Sequence, residues 1–220
     1  MSCQTIIEKE EVINAKVKKA LLAIENLVLL GNNDLPKVSI FSFVIKSKKG
    51  KLLHPSFVCS LLNDLFGIQS RAGCQCSSMY GQKLLGIDLK FSRELKESLM
   101  NGNELLRIGY TRVNFNYFIT DEEVEYILRA IEFISSFGWM FLPHYKFDID
   151  LGTWVNRDEH EQKQRSWIGE IDYSQGSMSY LKSNDENLRG SFPFFVKNNV
   201  VQPFNDYLSQ AEERLVHTVD

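Results

Sequence analysis

The sequence predicts an α/β sandwich followed by an irregular C-terminal extension. Three observations predict it. Stretches with helical periodicity alternate with stretches rich in β-branched and aromatic residues, in the order helix, strand, helix, strand, helix, strand, helix, as far as Gly138. Turn chemistry separates them. Beyond Pro143 the pattern lapses into charged segments with isolated aromatics.

The elements follow in order. Residues 5–27 form a helix, since Ile6, Val12, Ile13, Val17, Leu21 and Ile24 keep one face apolar between Glu and Lys residues. "LGNNDLP" at 30–36 is turn chemistry, and "KVSIFSFVI" at 37–45 is a strand. After the charged turn "SKKGK", residues 54–67 form a helix, with Pro55 suited to its first position and Gly67 to the residue past its end. "IQSRAG" is a short strand that runs into "SRAGCQCSSMYG" at 70–81. Residues 91–102 form a short helix with Ser92 as its cap. "TRVNFNYFI" at 111–119 alternates, with Val113, Phe115 and Tyr117 on one face and Arg112, Asn114 and Asn116 on the other. Thr120 and Glu123 form a capping box for the next helix, whose buried stripe is Val124, Ile127, Leu128, Ile131 and Ile134, and which Gly138 closes. In the extension, "FNDYLSQAEERLVHTV" reads as a last helix, and "WIGEIDY" and "FPFFV" are too apolar for pure linker.

Composition narrows the function classes. The 220 residues are 44 % hydrophobic, enough for one core with an extension. A formal net charge of −3 does not suggest a nucleic-acid surface or a membrane-facing basic patch. There is no apolar run of transmembrane length, and the N-terminus lacks the basic-then-apolar pattern of a secretory signal. Four cysteines suit a reducing compartment, so a cytoplasmic location is expected. Cys74 and Cys76, separated by one residue, lack the second ligand pair of a tetrahedral zinc site and would close a strained disulfide ring. No metal site is expected. His144 and His160 have no nucleophilic partner nearby in sequence and read as ordinary polar residues.

Two blocks carry a family resemblance. "HPSFVCSLLNDLFGIQSRAGCQC" presents His54, Pro55, Leu61, Leu62, Gly67, Ile68, Arg71, Gly73 and Cys76 in an ordered pattern, and "TRVNFNYFITDEEVEYILRAI" follows as a strand and a capped acidic helix start. Together they resemble the C-terminal small domain of class V aminotransferases and cysteine desulfurases, which are pyridoxal-phosphate (PLP) enzymes of fold type I. "CSSMYG" is similar to a branch of these proteins that carries Cys-Ala-Gly-Pro-Tyr-Gly at this place. The resemblance covers roughly residues 5–145.

The resemblance implies a small domain over residues 1–145, including a connecting helix at 5–27, and an extended arm with a short final helix over 146–220. It implies that Arg71 binds the substrate α-carboxylate, a role that a planar guanidinium fork serves well. It places Cys76 at the position of the desulfurase persulfide carrier. The motif departs there: Cys74 and Gln75 stand where His-His is usual, and Met79 replaces a proline. Losing those histidines weakens proton handling near the thiol, which argues against carrying desulfurase activity over to Cys76.

The resemblance further implies a large domain, preceding residue 1, that supplies the PLP lysine, the aspartate under the pyridine nitrogen and a stacking histidine. No such motif occurs in this chain. PLP is therefore the family's cofactor but is not expected on this chain alone, and the chain alone is expected to be inactive. The implied partners are an amino-acid substrate once a large domain completes the cleft, and a second copy in a homodimer. A non-catalytic binding or scaffold module derived from the same domain is the alternative.

Overall fold

The computed structural model describes residues 2–47, 49–74, 78–157, 171–172, 179–180 and 201–216. Helix α1 (Cys3–Ala23) starts at Ser2, whose hydroxyl accepts a hydrogen bond from the Thr5 amide at 3.2 Å. It ends earlier than its periodicity suggests. The chain extends after Ile24, and Leu27–Leu29 become strand β1, unforeseen from sequence. Leu27 and Leu29 enter the core while Val28 stays on the surface.

Strands β2 (Ile40–Ile45), β3 (Arg71–Gly73) and β4 (Tyr110–Asn114) complete a sheet of order β1-β2-β4-β3, antiparallel throughout. Its two faces differ. Phe41, Phe43, Ile45 and Val113 point to the helices and are buried. Ile40, Ser42, Arg112, Asn114 and Arg71 alternate to the opposite face. The fold is thus mixed α/β with an open antiparallel sheet.

Helix α2 (Pro55–Phe66) carries the centre of the core: Phe57, Val58, Leu61 and Leu62 are at most 1 % exposed. Pro55 takes the first turn, and Gly67 ends the helix in the left-handed region at φ 64°. Helix α3 (Ser78–Leu84), unforeseen from sequence, leads to α4 (Leu89–Met100). The α4 cap is Asp88 rather than Ser92: its carboxylate accepts from the Phe91 amide at 2.7 Å, while the Ser92 hydroxyl donates to Gln82. Helix α5 (Asp121–Phe137) has the expected capping box, with Thr120 and Glu123 bonded reciprocally at 3.2 and 2.8 Å.

Gly138 closes α5 as expected, though not in a left-handed cap. Its φ of −55° continues a right-handed path into a 3₁₀ segment, Gly138–His144. A Cβ there would lie 2.9 Å from Ile134 Cγ2 and 3.2 Å from Leu61 Cδ1, so glycine serves close approach to α2.

Residues beyond Pro143, expected to be irregular, form a hairpin of β5 (Tyr145–Asp148) and β6 (Thr153–Asn156). It packs on α2. The Ser60 hydroxyl donates to the Trp154 carbonyl at 2.8 Å, and the Tyr145 hydroxyl to Asp64 at 3.0 Å. A two-stranded ladder joins β7 (Ile171–Asp172) and β8 (Ser179–Tyr180). The stretch 192–196, "FPFFV", lies outside the described residues. The last helix, α6 (Val201–Val216), buries Phe204, Leu208 and Ala211 against α2 and α5.

Candidate functional site

Arg71 opens β3 and stands directly opposite Arg112 of β4, and Arg112 stands opposite Ser42 of β2. Side-chain alternation sends all three out of the face away from the helices. Neighbouring strands lie about 4.8 Å apart, so the row Arg71–Arg112–Ser42 spans about 10 Å. Arg71 is exposed and Arg112 half-buried. Like charges directly opposite each other in a sheet repel. Among the described residues neither guanidinium forms an ion pair. The face therefore holds two adjacent cations, with a hydroxyl beside them, and their charge is complementary to an anion's.

Two glycines hold the arginines in register. Gly73 ends β3 at φ 101°, a conformation that L side chains rarely adopt. Gly109, just before β4, packs its Cα against the Gly73 backbone: a Cβ there would collide with Gly73 Cα and lie 2.5 Å from its carbonyl carbon. Beneath the strands, the Thr111 hydroxyl donates to the Pro55 carbonyl at 3.4 Å. The Cys59 thiol sits by Ser70 and Thr111, and burial raises its pKa.

Cys74 follows Gly73 and donates from Sγ to the Ile108 carbonyl at 3.3 Å. Burial pushes its thiol up, away from the thiolate that nucleophilic attack requires. It packs beside Gly81 and Tyr110. Burial raises the Tyr110 phenol as well, helped by Cys74 and Tyr80 and opposed by Arg112. Cys76, with Gln75 and Ser77, lies outside the described residues. Arg112 is the site residue that sequence reading passed over. Its place in an alternating strand was legible, but its strand partner was not.

His54 is structural. Its Nδ1 accepts from the Ser56 amide and from Trp154 Nε1, both at 3.3 Å, so the ring is neutral with its proton on Nε2. That nitrogen is buried, facing the carbonyls of Leu105 and Arg107 without a well-formed hydrogen bond. Burial is the main cause of a lowered pKa, with the two carbonyls opposing it. A depressed histidine pKa favours the neutral form in the folded state. The stability it contributes is complete above about pH 6.5 and is lost as pH falls from there through the folded value. Urea midpoints at about pH 7.5 and about pH 5.5 should therefore drop more in the wild type than in His54→Asn, which keeps a capping side chain. Equal drops would show that His54 does not carry this dependence.

Among the described residues no cluster of three or more His, Cys, Asp or Glu side chains could hold a metal ion, and no helix is long and apolar enough to cross a membrane. By register, Arg112 is the cross-strand partner of Arg71, Tyr110 stands two residues from Arg112 on the same strand face, and Ser42 lies beyond Arg112. They provide a fork for an acidic group. None of these named side chains is an amine that could form an imine or a carboxylate that could hold a pyridine nitrogen, the two groups that PLP needs. No family model matches the chain, and no curated protein matches it.

Proposed function

We propose that the chain is the C-terminal portion of a class V aminotransferase or cysteine-desulfurase-like protein, supplying the substrate-carboxylate grip and one wall of the cleft. The observation that carries this reading is the cross-strand pair Arg71 and Arg112 on the sheet face away from the helices. Two planar guanidinium forks, about 5 Å apart at their backbones, can share the two oxygens of one carboxylate or engage two acidic groups. In this reading PLP, its lysine and the proton-transfer groups belong to another domain. The role of this chain is to bind and orient an amino acid by its carboxylate.

The test is an NMR titration of the full chain, following the Arg Nε–Hε resonances while an amino acid is added. The expected result is saturable movement of the Arg71 and Arg112 signals at about millimolar concentration, lost in Arg71→Ala/Arg112→Ala and lost with the amino-acid amide. Equal response to the acid and its amide would overturn the assignment. So would no response from either arginine.

A further inference from the structure

A groove of about 630 Å³ lies between α1 and the loop at 33–38. That volume is within the usual range of small-molecule sites. The loop runs against the helix. Lys18 donates to the Asn33 carbonyl, and Asn14 Nδ2 donates to the Lys37 carbonyl at 2.8 Å. Residues three and four apart share a helix face, so Ile7, Glu10, Asn14 and Lys18 form one wall.

Three kinds of unmet demand meet in this groove. The first is hydrogen bonding: Asn14 Oδ1 and Asn33 Oδ1 are buried without a donor, a costly state for an acceptor. The second is apolar surface, since Ile7, Leu35 and Val38 line the groove and are exposed. The third is charge. Glu10 and Lys37 are half-buried, and among the described residues neither forms an ion pair. The Lys37 ammonium lies 3.9 Å over the Phe41 ring, and burial, with Lys18 nearby, lowers its pKa. Lys18 has only the exposed Asp34, at 3.6 Å. Glu10 precedes Lys18 by eight residues, about 12 Å along the helix axis. Glu10 and Glu11 therefore make one end of the groove acidic, while Lys18 and Lys37 outweigh Asp34 at the other.

We propose that this groove binds a short peptide with free ends and an apolar middle, about three residues long. An extended chain of that length spans about 10–11 Å, close to the separation of the two charged ends. Its amine meets Glu10 and Glu11, and its carboxylate meets Lys18 and Lys37. Its backbone N–H groups supply donors where Asn14 and Asn33 lack them. Its side chains cover Ile7, Leu35 and Val38. A single amino acid is too short to reach both ends, and a long peptide carries its termini past them. None of these residues belongs to the carboxylate grip on β3 and β4, so the two proposals stand or fall separately.

The experiment is calorimetric titration of the full chain with alanyl-leucyl-alanine, with the N-acetylated and the C-amidated peptide as separate arms. The free peptide should bind with a Kd of about 0.1–1 mM. Each block should weaken binding at least about five-fold. Glu10→Gln/Glu11→Gln should remove the penalty of acetylation and keep that of amidation, and Lys37→Met should do the reverse. Leucine alone should bind at least about ten-fold more weakly than the tripeptide. Peptide binding should persist in Arg71→Ala/Arg112→Ala, and its loss there would overturn the proposal by placing the peptide on the grip. Blocked peptides or leucine binding as well as the free tripeptide would also overturn it, as would penalties that the variants leave unmoved, or no binding up to about 10 mM.

Discussion

Phe57→Ala is expected to lower the unfolding free energy by about 3–5 kcal/mol, read from urea unfolding of the full chain. Phe57 is 0 % exposed and stands where α2, the sheet and the hairpin meet. Its ring makes an edge contact with Tyr145 at 5.3 Å and a tilted one with Trp154 at 5.1 Å. Truncation removes both aromatic contacts and leaves a cavity with walls from three elements. Those walls cannot close it, because Tyr145 is tied to Asp64, and Trp154 to Ser60 and His54. The Trp154 indole resonance should shift in the same variant. A loss under about 1.5 kcal/mol with that resonance unmoved would mean that the hairpin is peripheral and that the core ends at the 3₁₀ segment.

How legible this was in the sequence depended on the range of the signal. The α2 boundaries follow from Pro55 and Gly67, and the α5 start from Thr120 and Glu123, because those signals act within one helical turn. The hairpin at 145–156 escaped notice because its packing side chains, Tyr145 and Trp154, answer to Phe57, far back in the chain. Strand β1 escaped for the same reason. "NLVLL" continues a helical pattern well enough, and only pairing of Leu27 with Ile45 and Leu29 with Phe43 makes it a strand. At the site, Arg71 stood out through its frame of residues. The value of Arg112 appears only once β3 and β4 are placed side by side. The glycines around the cysteines were visible as a pattern. Their cause, backbone against backbone at Gly73 and Gly109 and a thiol against Gly81, is tertiary.

That cause makes Gly109→Ala the most incisive change near the site. A methyl group at Gly109 would run into the Cα of Gly73 and come within 3.0 Å of the Cys74 amide nitrogen, and both neighbours are backbone. No rotamer can relieve the clash, so β3 must move away from β4. Overpacking of this kind costs typically about 1–3 kcal/mol, and a backbone neighbour puts it at the upper end. The larger consequence is local. Arg71 is two residues from Gly73 and owes its place beside Arg112 to the β3–β4 register. Moving β3 separates the two guanidiniums, so the carboxylate titration should weaken as much in Gly109→Ala as in Arg71→Ala. Gly81→Ala is the graded comparison. Its Cβ would meet Cys74 Cβ at 3.2 Å and Tyr110 Cε1 at 3.3 Å, side-chain atoms with some room to yield. It should cost less stability and leave most of the carboxylate response intact. If Gly109→Ala instead keeps full carboxylate binding while losing stability, the grip does not depend on the Arg71–Arg112 register. The anion would then have to be held by Arg112 and its neighbours on β2 and β4 alone.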